Sequence, residues 1–210
     1  MQDRIKAVKQ ITSNPHLNYF EMQVTNRNGK EHPYYMASRK DQEHLKCLTG
    51  DYPADGILIY GVHQGEDSVD RLVLVKQLRY PINDYIYELP AGLIDPGETA
   101  SVAAMREYWE ETGLTFHPLS LDEAITKPFF TSVGMTDESV ATAFGYASGT
   151  PSNQGQEENE DITVVLADKE EVMRILREEK VASKCAYLML HFLAAEQGKP
   201  FAFLAPFLKK

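Results

Sequence analysis

The chain has 210 residues, 25% of them charged, and a formal net charge of −10. That length allows one large domain or a domain with an appendage, and the acidity argues against a nucleic-acid partner, because phosphate backbones recruit basic surfaces. Cys47 and Cys185 stand alone without C-x-x-C spacing, which suits reduced thiols in a cytoplasm.

No apolar run is long enough to span a membrane, and residues 1–10 are charged, without a signal-peptide core. In chain order, residues 5–11, 19–25 and 31–36 alternate apolar and polar side chains and are predicted as strands, punctuated by Asn14-Pro15 and Asn28-Gly29. Asn-Gly is the strongest short hairpin signal, since both residues tolerate positive φ. These strands make a small N-terminal antiparallel sheet, a first domain over residues 1–50 that is too small to hold a core alone. A second domain, residues 51–210, opens with strands at 56–62 and 71–77 around a polar turn at 64–68, then a strand at 85–89. Residues 99–112 lack proline and internal glycine and are rich in helix formers. Strand-like stretches at 140–146 and 162–167 flank a polar loop, 148–161. Asp168, followed by Glu171, has the pattern of a helix N-cap with its capping partner and opens a helix to about residue 179. Ser183 opens another that ends at Gly198, before Pro200. His191, among Leu188, Leu190, Phe192 and Leu193, reads as a helix residue rather than a ligand, and the apolar residues 201–208 are expected to pack as a tail or at a subunit contact. Strands flanked by helices give an α/β (α+β) class.

On the 99–112 helix, Glu107 and Glu111 lie one turn apart with Glu110 beside them, so three carboxylates share one face. Like charges at that spacing destabilise an isolated helix by roughly a few tenths of a kcal/mol per pair. They also stand near the C-terminal end, where the dipole disfavours anions. Only Arg106 is close by to offset them. A hard divalent cation is the physical remedy: Mg2+ or Mn2+ takes oxygen ligands and is held by one or two carboxylates plus substrate phosphates. The bland alternative is an acidic solvated face, but Gly92, Glu98, Arg106 and Gly113 fall in register with the glutamates.

That register, from Gly92 through Glu98, Arg106-Glu107 and Glu110-Glu111 to Gly113, resembles the signature of the Nudix hydrolases. Tyr108 is the one departure, standing where an aliphatic residue is usual. The resemblance implies the Nudix α/β/α sandwich with a mixed sheet, preceded here by the small antiparallel sheet. It also implies hydrolysis of a nucleoside diphosphate linked to another group, with water attacking one phosphorus and Mg2+ (or Mn2+) spreading the developing charge. By the same resemblance Glu107 and Glu111 are metal ligands, the Ala91 carbonyl supplies another oxygen, and Glu110 ligates or orients the attacking water. Arg106 holds the glutamates through charge-assisted hydrogen bonds. Glu98 touches the metal shell or braces the loop, and Gly92 and Gly97 permit the tight backbone.

The flanking residues narrow the substrate. Residues 87–92, Tyr-Glu-Leu-Pro-Ala-Gly, with Lys-Gln-Leu-Arg-Tyr at 76–80, look like the ADP-ribose and nucleoside-diphosphate-sugar pyrophosphatases. Residues 130–138 match a substrate segment of that subgroup, which implicates Gly134 and Glu138, although Val133 replaces a usual proline. Residues 157–162, Glu-Glu-Asn-Glu-Asp-Ile, resemble a loop of bacterial ADP-ribose pyrophosphatases in which a glutamate activates water. The match gives that role to Glu158, with Glu160 as second candidate and possible metal ligand; the alternative is a solvated acidic turn. Arg79 is read as a phosphate or carbonyl contact or a surface ion pair, and Glu88 as an acceptor for an adenine amino group or sugar hydroxyl. The expected reaction is cleavage of ADP-ribose or a related sugar nucleotide to a nucleoside monophosphate and a sugar phosphate. GDP-mannose, UDP-glucose and a non-catalytic sensor of sugar nucleotides are the alternatives. An isopentenyl diphosphate isomerase fits poorly, because neither cysteine falls near the motif. The subgroup also implies a homodimer in which the N-terminal sheet helps to build the partner's pocket.

Overall fold

The computed structural model describes residues 4–156 and 160–209. In chain order the strands are β1 (Ile5–Gln10), β2 (Asn18–Thr25), β3 (Glu31–Ser38), β4 (Gly56–Gln64), β5 (Asp70–Arg79) and β6 (Asp84–Glu88). They continue with β7 (Ala91–Leu93), β8 (Thr115–Pro118), β9 (Phe129–Phe130), β10 (Ser139–Ser148) and β11 (Ile162–Ala167). The α-helices are α1 (Lys46–Thr49), α2 (Ala100–Thr112), α3 (Glu123–Thr126), α4 (Lys169–Glu178) and α5 (Ser183–Ala194). They fall into two compact units: one takes the chain up to Asp55 with Pro128–Val140, the other Gly56–Lys127 with the chain from Ala141 on.

The first unit is built on the antiparallel sheet β1-β2-β3. Asn26 closes the β2–β3 hairpin by accepting from the amides of Asn28 and Lys30, and Gly29 takes φ +79°. Strand alternation sends Phe20, Met22 and Met36 to one face, where they pack with Leu45, Ile5, Val8 and Val24. Lys46 is 2% exposed yet fully engaged, donating at 2.6 Å both to Asp55 and to the Ser139 hydroxyl. Burying that ammonium is tolerable only because it is paired. The 128–140 segment is stitched to β3 by hydrogen bonds from the Tyr34 hydroxyl to the Gly134 carbonyl (2.7 Å) and from the Ala37 amide to the Met135 carbonyl (2.9 Å). Nothing local in the sequence marks this return.

In the second unit the sheet runs β11-β5-β4-β10-β8, with β6 paired to β5 and β7 to β4. This is the mixed sheet between helices expected of the chain: α2 packs on β4, β7 and β8, and α4 and α5 on β11 and β6. Pairing of Ile57 with Gly92 and Leu58 with Ala91 brings the glycine loop onto the central strand. Asp168 does cap α4, accepting from the Glu171 amide at 2.9 Å, but the Glu171 side chain turns away to pair with Arg174. α5 stops at Ala194 rather than at Gly198. The reason lies in the β4–β5 turn: buried Asp70 takes the Gly198 amide at 2.6 Å, and the Ser68 carbonyl takes the Gln197 side chain. The tail then packs inward, with Phe201 and Leu204 buried and Phe203 stacked on His191 at 4.7 Å. No helix among the described residues is long and apolar enough to cross a membrane.

Tyr108 fixes how α2 sits on the sheet. Its ring is fully buried against Phe116, and its hydroxyl lies over Gly61 in the middle of β4. A Cβ at Gly61 would stand 2.0 Å from that hydroxyl, so an aromatic at 108 requires glycine at 61. Gly61→Ala should therefore cost about 1–3 kcal/mol by overpacking, and Gly61→Ala/Tyr108→Leu should recover much of it. Thermal melts of the three proteins decide this; a Gly61→Ala protein as stable as wild type removes the packing argument.

Candidate active site

Helix α2 is well bounded. The Thr99 hydroxyl accepts from the Val102 amide at its start, and Gly113, at φ +70°, ends it by donating to the Trp109 carbonyl. Between these caps the helix carries Arg106, Glu107, Glu110 and Glu111 toward the loop after β7. The Arg106 guanidinium organises them. It donates Nε and Nη2 to Glu98 (3.1 and 2.8 Å), Nη1 to both Glu107 and Glu110 (2.9 Å each), and Nη2 to the Leu93 carbonyl (3.0 Å). Glu98 also accepts from the Asp95 amide at 3.1 Å, so it ties the 95–98 turn to the helix.

The electrostatics of the cluster are set by burial. Glu111 is 4% exposed and its carboxylate accepts from the Ala91 amide at 3.1 Å. Desolvation still pushes its carboxyl well above the usual range, and the charges of Glu160 and Glu107 add to the rise. Burial also raises Glu107, against the pull of Arg106, which only partly compensates. Glu98 is held below the usual range by its hydrogen bonds from Arg106. Among the described residues no three carboxylate, imidazole or thiolate side chains converge on one point; Glu107 and Glu110 are turned to Arg106 instead. The donor set nevertheless suits a hard cation: carboxylate oxygens, a loop carbonyl, and a buried glutamate whose charge lacks a cation of its own.

These groups face a cavity of about 450 Å3, lined by Gln77, Arg79, Ala91, Gly92, Leu93, Asp95, Arg106, Glu107, Glu110, Glu111 and Glu160. That volume lies within the range of small-molecule pockets. Another concavity, of about 290 Å3, involves Ala100, Ser101, Leu119 and Ala143 and has no charged lining residue, so it offers nothing for phosphate chemistry. Glu98 and Glu88 do not line the acidic cavity; Glu88 holds Arg79 from behind, at 2.8 Å to Nε and 2.6 Å to Nη2. Gly134 and Glu138 belong to the first unit, where Glu138 accepts from Arg39 (3.3 Å) and from the Thr131 hydroxyl (2.9 Å). Glu158 lies outside the described residues. Sequence reasoning passes over Gln77, Leu93 and Asp95. For Gln77 a signal exists, since it lies two residues before Arg79 on one strand and so on the same face.

A family model, the NUDIX domain, matches residues 53–189. A Caenorhabditis elegans protein named for the nudix hydrolases is 37% identical over 135 residues, 62% of this chain and 59% of that protein. ADP-ribose pyrophosphatase of Bacillus subtilis is 30% identical over 128 residues, 60% of this chain and 67% of the enzyme. ADP-sugar pyrophosphatase of Mus musculus is 43% identical over 60 residues, 29% of this chain and 28% of the enzyme. The chain thus spans about three fifths of the length of the worm relative. A solved structure described as an ADP compounds hydrolase shares the fold, with a TM-score of 0.59 and 19% identity over 83% of this chain and 82% of the other.

Gly92 gives the arrangement a test. A Cβ there would fall 1.9 Å from the Glu107 carboxyl carbon, and that atom is the far end of a flexible side chain. Gly92→Ala should therefore fold normally while swinging Glu107 aside, weakening Mn2+ binding by about tenfold or more (~1.4 kcal/mol). Calorimetric titration with Mn2+ measures it; unaltered affinity in a folded Gly92→Ala protein would show that Glu107 is not a ligand.

Proposed function

The chain belongs to the NUDIX domain family, and from that premise we propose that it is a Mg2+-dependent pyrophosphatase for ADP-ribose or a related nucleoside diphosphate sugar. The products are a nucleoside monophosphate and a sugar phosphate. The observation that carries this reading is the acidic cavity, lined by Glu107, Glu110, Glu111 and Glu160 together with Arg79. The names of the relatives, ADP-ribose and ADP-sugar pyrophosphatase, supply the substrate class.

Glu107, Glu111 and the Ala91 carbonyl would hold the ion, with Glu110 completing the set or orienting the attacking water. Once bound, Mg2+ supplies positive charge against the phosphate oxygens as negative charge develops on them. Arg79, kept in place by Glu88, binds a phosphate oxygen through its remaining N–H groups. A loop glutamate, Glu160 or Glu158, takes the proton from water. The water oxygen bonds to one phosphorus, the bridging P–O bond on that phosphorus breaks, and the other phosphate leaves with the bridging oxygen. Arg106 contributes by position, fixing Glu107 and Glu110 relative to Glu98.

The test is kcat/KM with Mg2+ across ADP-ribose, GDP-mannose, UDP-glucose, NADH and diadenosine polyphosphates. ADP-ribose should lead, and Glu111→Gln should lower its turnover by about 10²-fold or more without loss of fold. Preference for another sugar nucleotide would keep the chemistry and move the specificity. No turnover of any of them by folded, Mg2+-loaded protein would overturn the proposal.

We also infer a homodimer built on the first unit. Tyr19 and Tyr35 stack in the open at 5.8 Å, and Val133 and Met135 are 69% and 68% exposed, so this unit offers apolar surface that a partner would cover. Light scattering should give twice the chain mass; a monomer mass across micromolar concentrations would exclude it.

A further inference from the structure

The last carbonyl groups of an α-helix have no partner within the helix. In α2 two of them are taken by the loop that follows β10. The Ser152 amide donates to the Thr112 carbonyl at 2.9 Å. The Gln156 carboxamide donates to the Glu111 carbonyl at 3.1 Å and to the Ile162 carbonyl, at the start of β11, at 3.2 Å. A primary carboxamide has two N–H donors, and both are spent on backbone, one on each side of the loop. Gly155 lies against the helix: a Cβ there would stand 2.8 Å from the Glu110 Cα and 3.1 Å from the Trp109 ring. The far end of the loop is pinned separately. Asp161 accepts from the Tyr85 hydroxyl at 2.5 Å, and its carbonyl accepts from the Leu78 amide at 3.2 Å. Between the two anchor points in sequence comes Glu160, which lines the cavity with the α2 carboxylates.

We infer that Gln156 is a positioning residue for the pyrophosphatase reaction: its carboxamide clasps the helix that carries Glu107 and Glu111 to the loop that carries Glu160, and so sets the spacing between them. The inference rests on the function proposed above. The clasp reads the backbone of Glu111 while that residue's carboxylate reads the cavity, so the same residue joins both walls. Without the two donors, the Glu111 and Ile162 carbonyls lose this shared partner, and the loop loses one of its hydrogen bonds to the helix. The negative charges of Glu160 and of Glu107 and Glu111 repel one another.

Gln156→Leu keeps the volume and removes both donors. With ADP-ribose and Mg2+ its kcat should fall about tenfold or more, while KM and the Mg2+ activation midpoint stay within about twofold of wild type. Trp109, the one tryptophan of the chain, reports the loop directly: acrylamide should quench it more readily once Gly155 lifts. Gln156→Glu is the second variant. Its ionised carboxylate only accepts, but the protonated form donates again, so its deficit relative to wild type should narrow as pH falls. A folded Gln156→Leu protein with wild-type kcat, a loss confined to KM, or unchanged quenching would overturn the inference. If that variant fails to fold, Gln156→Glu carries the same comparison. Absence of turnover in the wild type would defeat the pyrophosphatase reading itself, and the quenching comparison would still judge the clasp.

Discussion

The guanidinium of Arg106 stands between Glu98 on the loop and Glu107 and Glu110 on the helix, and the geometry of the cavity follows from that one set of ion pairs. A planar, permanently charged fork can hold several carboxylates in fixed directions; an ammonium on a flexible stem cannot. The pairs are half-exposed, so their contribution to stability is modest. What they supply is direction. Glu98 draws the 95–98 turn toward α2, the Leu93 carbonyl is fixed by the same nitrogen that reaches Glu98, and Glu107 lies against the bare backbone of Gly92.

Packing beneath the helix and capping at its end complete the frame. Tyr108 settles over Gly61, an arrangement in which an unusually large residue on the helix is matched by the absence of a side chain on the strand. Its hydroxyl is buried without a hydrogen-bond partner among the described residues, which costs about 1–3 kcal/mol relative to a satisfied group. The ring's burial and its contact with Phe116, 4.9 Å between centroids, act in the other direction. At the C-terminus the helix is closed by Gly113, Ser152 and Gln156 together. The loop with the acidic run is thus held to the helix by the helix's own unsatisfied carbonyls.

Much of this frame is legible in the amino-acid sequence. The strands at 56–62, 71–77 and 162–167 and the helix at 99–112 announce themselves by period, and the carboxylates by spacing, because both are local properties of the chain. Gln77 on the cavity wall and Gln156 behind it are not legible in that way. Each acts through groups brought together only by folding: Gln77 on β5 pairs with Ile162 on β11, and Gln156 bonds to a residue 45 positions away. The packing of residues 128–140 is hidden from the sequence for the same reason. They follow the motif in sequence and resemble a substrate segment, yet they pack in the first unit, where Lys46, Asp55 and Ser139 form a buried polar knot. Glu88 and Arg79 suggest separate substrate contacts when taken one at a time, and their mutual ion pair makes them one device.

Helix α2 obeys the rules of helix design at its ends and breaks them in its last two turns. Thr99 and Gly113 are favourable caps, whereas three glutamates crowd the negative end of the dipole and one of them is buried. Local violation of this kind, inside an otherwise consistent sequence, is where function is to be sought. The sign of the cost can be worked out. Burial raises the Glu111 carboxyl above its unfolded value, so the fold is favoured while that group is protonated and loses the advantage as pH rises through the folded pKa. Ionising that carboxyl beneath the cavity therefore costs the fold stability. Neither nearby arginine relieves it: Arg106 is engaged by Glu98, Glu107 and Glu110, and Arg79, which pulls Glu111 down only weakly, is engaged by Glu88. Among the described residues no ion pair reaches Glu111, and a divalent ion arriving with a pyrophosphate is the form in which the proposed reaction would bring a balancing charge.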